Sequence, residues 1–476
     1  MKSRFNWSLS STVFTLIMLA WSHMIFAQSR FTLPDYDTVT LNNGIKVYLM
    51  EQHEVPMLDI NIVVSSGAVS DSKLAGEAQA TAQSLLLGTK SLTREQLEET
   101  FESVGADVDA QASMEYSVIS ASFLAKDDQQ ILPILASMLQ HPRFDEDEFN
   151  GFKQRHIDSL KQLKESPRNV STHYFKQLVM HGHPYQNIID GTQNSIESMT
   201  LEHVARFYRK HYAPQNTAII AVGDFSSDAM LKKLNAQFGQ WQNDDFETSN
   251  IDEELANVPK APSEAKVLLV NKSDSRQSTF VIGGVGIPRK NPDYVSLQVL
   301  NTILGGRFTS WLNSELRVNS GLTYGARSQF SYYKHTGLFY LSSFTKVEST
   351  EKALDLALQT YARLWEKGID KATLDSAKAY VKGQFPPNYE TSSQLARLLR
   401  SMHIYGFDES YINQFQANVD SLTVEKAAKL VAQYFPKDHL QMLVIGKADE
   451  IRDVVKKYGK VIEVDISTPG FSIPSH

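Results

Sequence analysis

Apolar residues recur along this chain in two rhythms, and the switch between them predicts most of its elements. Val39 and Leu41, then Ile45, Val47 and Leu49, alternate on either side of Asn42-Asn43-Gly44, which predicts a hairpin and its turn. Leu58, Ile60, Ile62 and Val64 alternate again before Ser65-Ser66-Gly67. A helical stretch then runs from Gly76 to Leu87. Thr93 to Val104 reads as an amphipathic helix, with Thr93 as N-cap and Gln96 at the capping-box position. Residues 110–123 predict two strands with a turn near Glu115. Gln129 to Gln140 turns Ile131, Leu132, Ile134, Leu135, Met138 and Leu139 inward on a helix. Asp145 starts a long polar helix through Leu163, closed by Ser166-Pro167. Further helices cover Asn169–Met180 and Thr200–Tyr212, and residues 216–222 form a buried strand.

Residues 243–264 are acidic and then Pro-rich, the composition of an interdomain linker. Beyond them the same pattern restarts. Ser198-Met199-Thr200-Leu201-Glu202 matches Ser421-Leu422-Thr423-Val424-Glu425, and Ile219 to Gly223 matches Met442 to Gly446. Ala213-Pro214 likewise matches Phe435-Pro436. The offset is 223 residues at Thr200/Thr423 and again at Gly223/Gly446, and 220 at Lys46/Lys266. A near-constant offset across separate segments means an internal duplication. The expected organisation is a domain at 28–242, a linker at 243–264 and a second domain at 265–476. Each is α+β, a largely antiparallel sheet with helices on one face.

One stretch of the second copy combines both rhythms. In Leu304 to Tyr324, Gly305-Gly306 read as a turn, and Phe308, Trp311, Leu312 and Leu316 fall on one helix face. Glu315 and Arg317 point away from that face, Gly321 is a helix stop, and Leu322–Tyr324 begins a strand. Arg317 and Tyr324 thus bracket one helix end. A guanidinium fork and a phenol suit the gripping of peptide carbonyls or an oxyanion. The same two residues also fit a solvated Arg and a half-buried Tyr, since a fold by itself assigns no function.

Composition narrows the partners. Hydrophobic content of 42% and charged content of 21% over 476 residues are those of a globular protein. A net charge of −7 without a long basic run argues against nucleic acid. The absence of Cys removes disulfides, thiolate zinc sites and cysteine nucleophiles. Residues 1–27 read as a signal peptide: Lys2 and Arg4, an apolar run from Val13 to Ala20, and Ile25-Phe26-Ala27 before Gln28. The run is too short for a comfortable membrane span, although an uncleaved anchor is the competing reading. The expectation is export to a periplasm, with no membrane attachment after cleavage.

With the repeat established, the chain resembles the pitrilysin/insulinase superfamily of inverted zincins. It is most similar to the short, two-domain members related to mitochondrial processing peptidase. The matching pieces are LNNGIKVYLMEQHEVP, LLLGTKSLTREQLEETFESVGADVDA, PRFDEDEF, HGHPYQNIIDGT, FYRKHYAPQNTAIIAVGDF and LGGRFTSWLNSELRVNSGLTYGA. The resemblance implies two homologous domains forming half of a clamshell. Its chemistry rests on H-x-x-E-H plus a distal Glu: two imidazoles on one helix face bind zinc, and the Glu activates the bound water. Here the motif falls at Gln79-Ala80-Thr81-Ala82-Gln83, and the distal Glu at Ser159. Gln is a poor zinc ligand and Ala82 moves no proton. No other helix carries paired His, and His181 and His183 share a loop without visible further ligands. Gln79 and Gln83 then read as surface or cleft-facing amides. No metal is expected on this chain; zinc is expected in a partner.

The family's second landmark, L-R-x-x-x-G-L-x-Y, is present as Leu316-Arg317, Gly321-Leu322 and Tyr324. The resemblance implies that Arg317 and Tyr324 reach across the clamshell to the zinc site of a homologous H-x-x-E-H subunit and contact peptide substrate there. It also places Gly305-Gly306 where the sister subunit of the mitochondrial enzyme has a longer glycine-rich loop. The expected function is therefore the zinc-less subunit of a heterodimeric metallopeptidase, inactive without its partner. The alternatives are an inert structural or assembly protein and a free-standing peptide-binding protein.

Overall fold

The computed structural model describes residues 31–474, and the signal peptide read at residues 1–27 lies outside them. Two six-stranded sheets organise the chain. The first contains β1 (Asp37–Thr40), β2 (Lys46–Glu51), β3 (Met57–Val64), β4 (Asp107–Ala112), β5 (Ser117–Leu124) and β6 (Thr217–Gly223). Its order is β1-β2-β6-β3-β5-β4. The second contains β7 (Lys266–Asn271), β8 (Gln277–Val285), β9 (Ala326–Tyr332), β10 (Gly337–Lys346), β11 (Gln441–Gly446) and β12 (Lys460–Asp465). Its order is β12-β7-β11-β8-β10-β9. Strand for strand the two orders correspond, and the pairs β2–β6, β7–β11 and β7–β12 are parallel while the others are antiparallel. The copies differ at one edge. β1 enters through the tight Asn42–Gly44 turn, which permits only an antiparallel neighbour, whereas β12 arrives after a long excursion and runs parallel.

The capping box at Thr93 forms as read. Gln96 N–H donates to Thr93 Oγ1 at 3.3 Å, and Thr93 N–H donates to Gln96 Oε1 at 2.9 Å. Pro167 does not merely end the preceding helix. It opens the next one, Pro167–Val179, at a first-turn position where its missing N–H costs nothing. The 243–264 stretch is packed rather than free: it holds a short helix, Ile251–Leu255, with Leu255 buried in the same apolar cluster as Tyr174 and Tyr185. Among the described residues no helix is long and apolar enough to cross a membrane.

β3 reads as an alternating strand, yet Leu58 through Val64 are buried without interruption. Leu58, Ile60, Ile62 and Val64 face the helices of their own half, and Val63 faces the core of the other half. Asp59 and Asn61 lie on that second face. The helix Ser392–Tyr405, from the second half, crosses β3 and β6 there. Its Ser392 hydroxyl donates to Asp59 Oδ2, and Arg400 Nη1 donates to Asn61 Oδ1 at 2.8 Å. Burial pushes the Asp59 carboxyl above its usual range.

The exchange is mutual. The first half's helix Pro167–Val179 lies across β8 and β11 of the second sheet. Tyr174 and Phe175 are buried there with Leu268, Val281 and Leu443. Each sheet is thus covered on one face by its own helices and on the other by a helix of its sister. This predicts that Phe175→Ala, a change in the first half, destabilises both halves together by about 3–5 kcal/mol. Urea unfolding followed by tryptophan fluorescence and by circular dichroism should show one transition at a lower midpoint. Two separated transitions would contradict the shared core.

Candidate functional site

The helix Tyr294–Asn301 runs on as a wider π-turn over Thr302–Gly306. Gly305 and Gly306, read as a turn, lie inside that helical end instead. A Cβ on Gly305 would sit 2.1 Å from the Ser328 backbone nitrogen, so only glycine lets the helix end rest against β9. A second π-turn, Asn313–Asn319, carries Arg317. Such turns concentrate at functional sites. Leu312 and Leu316 are buried as the pattern requires, but Phe308 is 63% exposed. Phe308 lies in the turn before this helical segment, outside its register, and sits beneath Arg317 with the guanidinium 4.6 Å from its ring centre.

Gly321 adopts φ of 62° and ends the segment. Gly321 N–H donates to Arg317 O at 3.2 Å and Leu322 N–H to Leu316 O at 2.9 Å, a left-handed C-cap. The strand starts at Ala326, not at Leu322. Thr323 explains the delay: its hydroxyl donates to Gly325 O and accepts from Gly325 N–H, each at 3.1 Å, a side-chain-closed turn that competes with strand pairing. Tyr324 is therefore not half-buried. It stands 79% exposed, its ring stacked on Phe344 with centres 6.5 Å apart. Arg317 and Tyr324 line one cleft of 880 Å³, together with Arg168, Arg307 and Arg327. Those three arginines come from separate elements and form no motif, so nothing in the linear pattern singled them out.

At the zinc-motif positions, Gln79 and Gln83 share one face of the helix Glu77–Ser84. That face abuts β4, the outermost strand of the first sheet. Gln79 Oε1 accepts from Ala112 N–H at 2.7 Å, and Gln83 Nε2 donates to Ala110 O at 2.7 Å. The two amides therefore stand where a neighbouring strand would otherwise pair. Ala82 is buried, and Ser159 is exposed on the helix Glu146–Leu163, whose Phe152, Ile157 and Leu160 pack with Ala80. These residues do not fit zinc. The amides are bound to backbone, and Ala82 and Ser159 offer neither a base nor a carboxylate as third ligand. Among the described residues no group of three or more His, Asp or Glu is placed to hold a metal. His183 is structural: Tyr185 N–H donates to its Nδ1 at 3.1 Å, and its Nε2–H donates to Leu255 O at 3.3 Å.

The second sheet repeats the capping. Ala326 N–H donates to Asn313 Oδ1 at 3.0 Å, and Asn301 Nδ2 donates to Ser328 O at 3.0 Å on β9, the corresponding edge. A peptide cannot add as a strand at these four backbone groups without displacing the amides.

Two family models match in tandem: insulinase (peptidase family M16) over residues 46–193 and peptidase M16 inactive domain over residues 198–381. The chain is 27% identical to a non-peptidase homolog, YmxG, of Helicobacter pylori, across 78% of this chain and 86% of that protein. It is 22% identical to a probable mitochondrial-processing peptidase subunit beta of Arabidopsis thaliana, across 91% of this chain and 83% of that one. The crystal structure of a peptidase M16 inactive domain from Pseudomonas fluorescens superposes with a TM-score of 0.79 at 25% identity, covering 87% of this chain and 98% of that one. Two matched domains, an α+β half-clamshell and a motif emptied of ligands agree: the chain belongs to the insulinase family of peptidases, M16, in the branch that lacks the zinc site.

Proposed function

We propose that this chain is the zinc-less subunit of a periplasmic heterodimeric metallopeptidase. It binds peptide substrate in the cleft of the second domain and presents Arg317 and Tyr324 to the zinc site of an H-x-x-E-H partner. One observation carries the reading: both side chains are exposed on a single cleft, while at the zinc-motif positions Gln79 and Gln83 cap a strand. An exposed Tyr and an Arg stacked on an exposed Phe bring little to the core, so core packing does not account for them. Arg offers a planar fork of donors for a carbonyl or oxyanion, and the phenol offers one more. The signal-like residues 1–27 support export.

The purified chain, with zinc supplied, is expected to cleave no peptide, and cleavage is expected on mixing with an H-x-x-E-H sister. Cleavage by the chain alone that disappears with a chelator contradicts this. In the mixed complex, Arg317→Ala and Tyr324→Phe should each lower kcat/KM by roughly ten- to a thousandfold, the usual effect of losing one oxyanion-type contact. Their thermal midpoints should stay at the parent value, because neither side chain is in the core. Turnover unaffected by both changes would assign the chain to an assembly role instead.

A further inference from the structure

We propose that the peptide channel of this chain is selective for acidic polypeptide segments. The inference rests on the peptide-binding role above and adds the substrate class. A second cavity, of 670 Å³, adjoins the Arg317/Tyr324 cleft and shares Asn301, Gly306, Gln329 and Tyr380 with it. Four arginines line the cleft, Arg168, Arg307, Arg317 and Arg327, and two more line the second cavity, Arg289 and Arg397. Among the described residues neither lining contains an Asp or a Glu. This happens in a chain whose net charge is −7. Positive charge is gathered in the channel against the balance of the whole molecule, and concave low-dielectric walls focus such a field.

What these arginines touch is as informative as where they lie. Arg168 sits over the Phe344 ring at 3.8 Å, and Arg317 over Phe308 at 4.6 Å. Arg289 sits over Tyr294 at 3.9 Å and Phe407 at 4.0 Å. Arg307 Nη1 donates to the Ser376 hydroxyl at 3.0 Å, and Arg397 Nη1 to the Ser393 hydroxyl at 3.4 Å. Arg363, beside the same π-turn but outside both linings, is stacked as well, over Trp311 at 4.5 Å, and its edge is taken by Glu315 at 3.0 Å. Stacking engages the flat face of a guanidinium and leaves its edge donors directed outward. Those edges match carboxylates in the two-pronged manner that ammonium groups cannot.

A polypeptide fits better than a nucleic acid. The positive groups are confined to a channel rather than spread in a stripe, and the net charge of the chain opposes a long polyanion. Between the arginines the wall carries aromatic rings together with carboxamides such as Gln298 and Gln384, which can both donate to and accept from a peptide backbone.

The test is fluorescence anisotropy on the purified chain, with extended peptides of equal length carrying Glu, Gln or Lys at alternate positions. The Glu peptide should bind roughly tenfold more tightly than the Gln peptide at low ionic strength, and the Lys peptide most weakly. The advantage should shrink as added salt shortens the Debye length. Arg327→Gln combined with Arg397→Gln, both exposed and outside the proposed catalytic pair, should bring the affinity for the Glu peptide down to that for the Gln peptide. No Glu preference, including no binding of any peptide, overturns the proposal. So does a single-stranded oligonucleotide of equal charge that competes as well as the Glu peptide. The binding assay needs no partner, which separates the two ideas. A Glu preference in a chain that never activates a sister sinks only the peptidase-subunit reading, and an active mixture that prefers Lys peptides sinks only the acidic channel.

Discussion

The exchange of helices between the two sheets is the contact on which the molecule depends. Each sheet has a central strand apolar on both faces, β6 in the first and β11 in the second. A strand of that kind needs cover on both sides. Each half supplies its own helices to one face only. The remaining face is closed by Pro167–Val179 in one case and Ser392–Tyr405 in the other. These helices hold equivalent places in the two repeats, so the duplication itself supplies the cover. The buried polar contacts at Asp59 and Asn61 then set how Ser392–Tyr405 sits, because misplacing it would strand two buried polar groups.

That arrangement places the two edge strands, β4 and β9, in equivalent positions with different uses. On the first sheet the helix at the zinc-motif position is a brace. Its glutamines retain the spacing that puts two side chains on one face, and spend it on the backbone of Ala110 and Ala112. These two edge groups are therefore paired on a helix that carries no metal ligand. On the second sheet Asn301 and Asn313 brace β9 in the same way, but the surface beyond them remains a large cleft. Gly305 makes this possible by letting a helix end lie against the strand.

Much of the candidate site was legible from residue identity, and little of it from position. That residues 79–83 could not hold zinc followed from Gln and Ala alone. That Gln79 and Gln83 would seek an edge strand did not, because an amide donates and accepts equally well toward solvent, ligand or backbone. Gly321 marks the helix stop, whereas the strand begins at Ala326 rather than at Leu322. Thr323 folds its hydroxyl back on Gly325, and a threonine in a β-like run gives no sign of that. Phe308 matched the helical spacing yet belongs to a turn, since periodicity cannot see where a helix begins.

By itself the sequence determined the duplication, the α+β class, the hairpin at Asn42–Gly44, the capped helix from Thr93 and the emptied metal motif. These are local properties: turn chemistry, spacing and the presence or absence of a ligand atom within a few residues. The tertiary structure decided everything that joins distant segments. Arg168, Arg289 and Arg397 lie far apart along the chain, and only packing brings them to two adjoining cavities, one of which Arg317 lines. Which helix covers which sheet is likewise absent from any short window. An amphipathic stripe declares that it must be buried, and the geometry of the folded chain alone says against what.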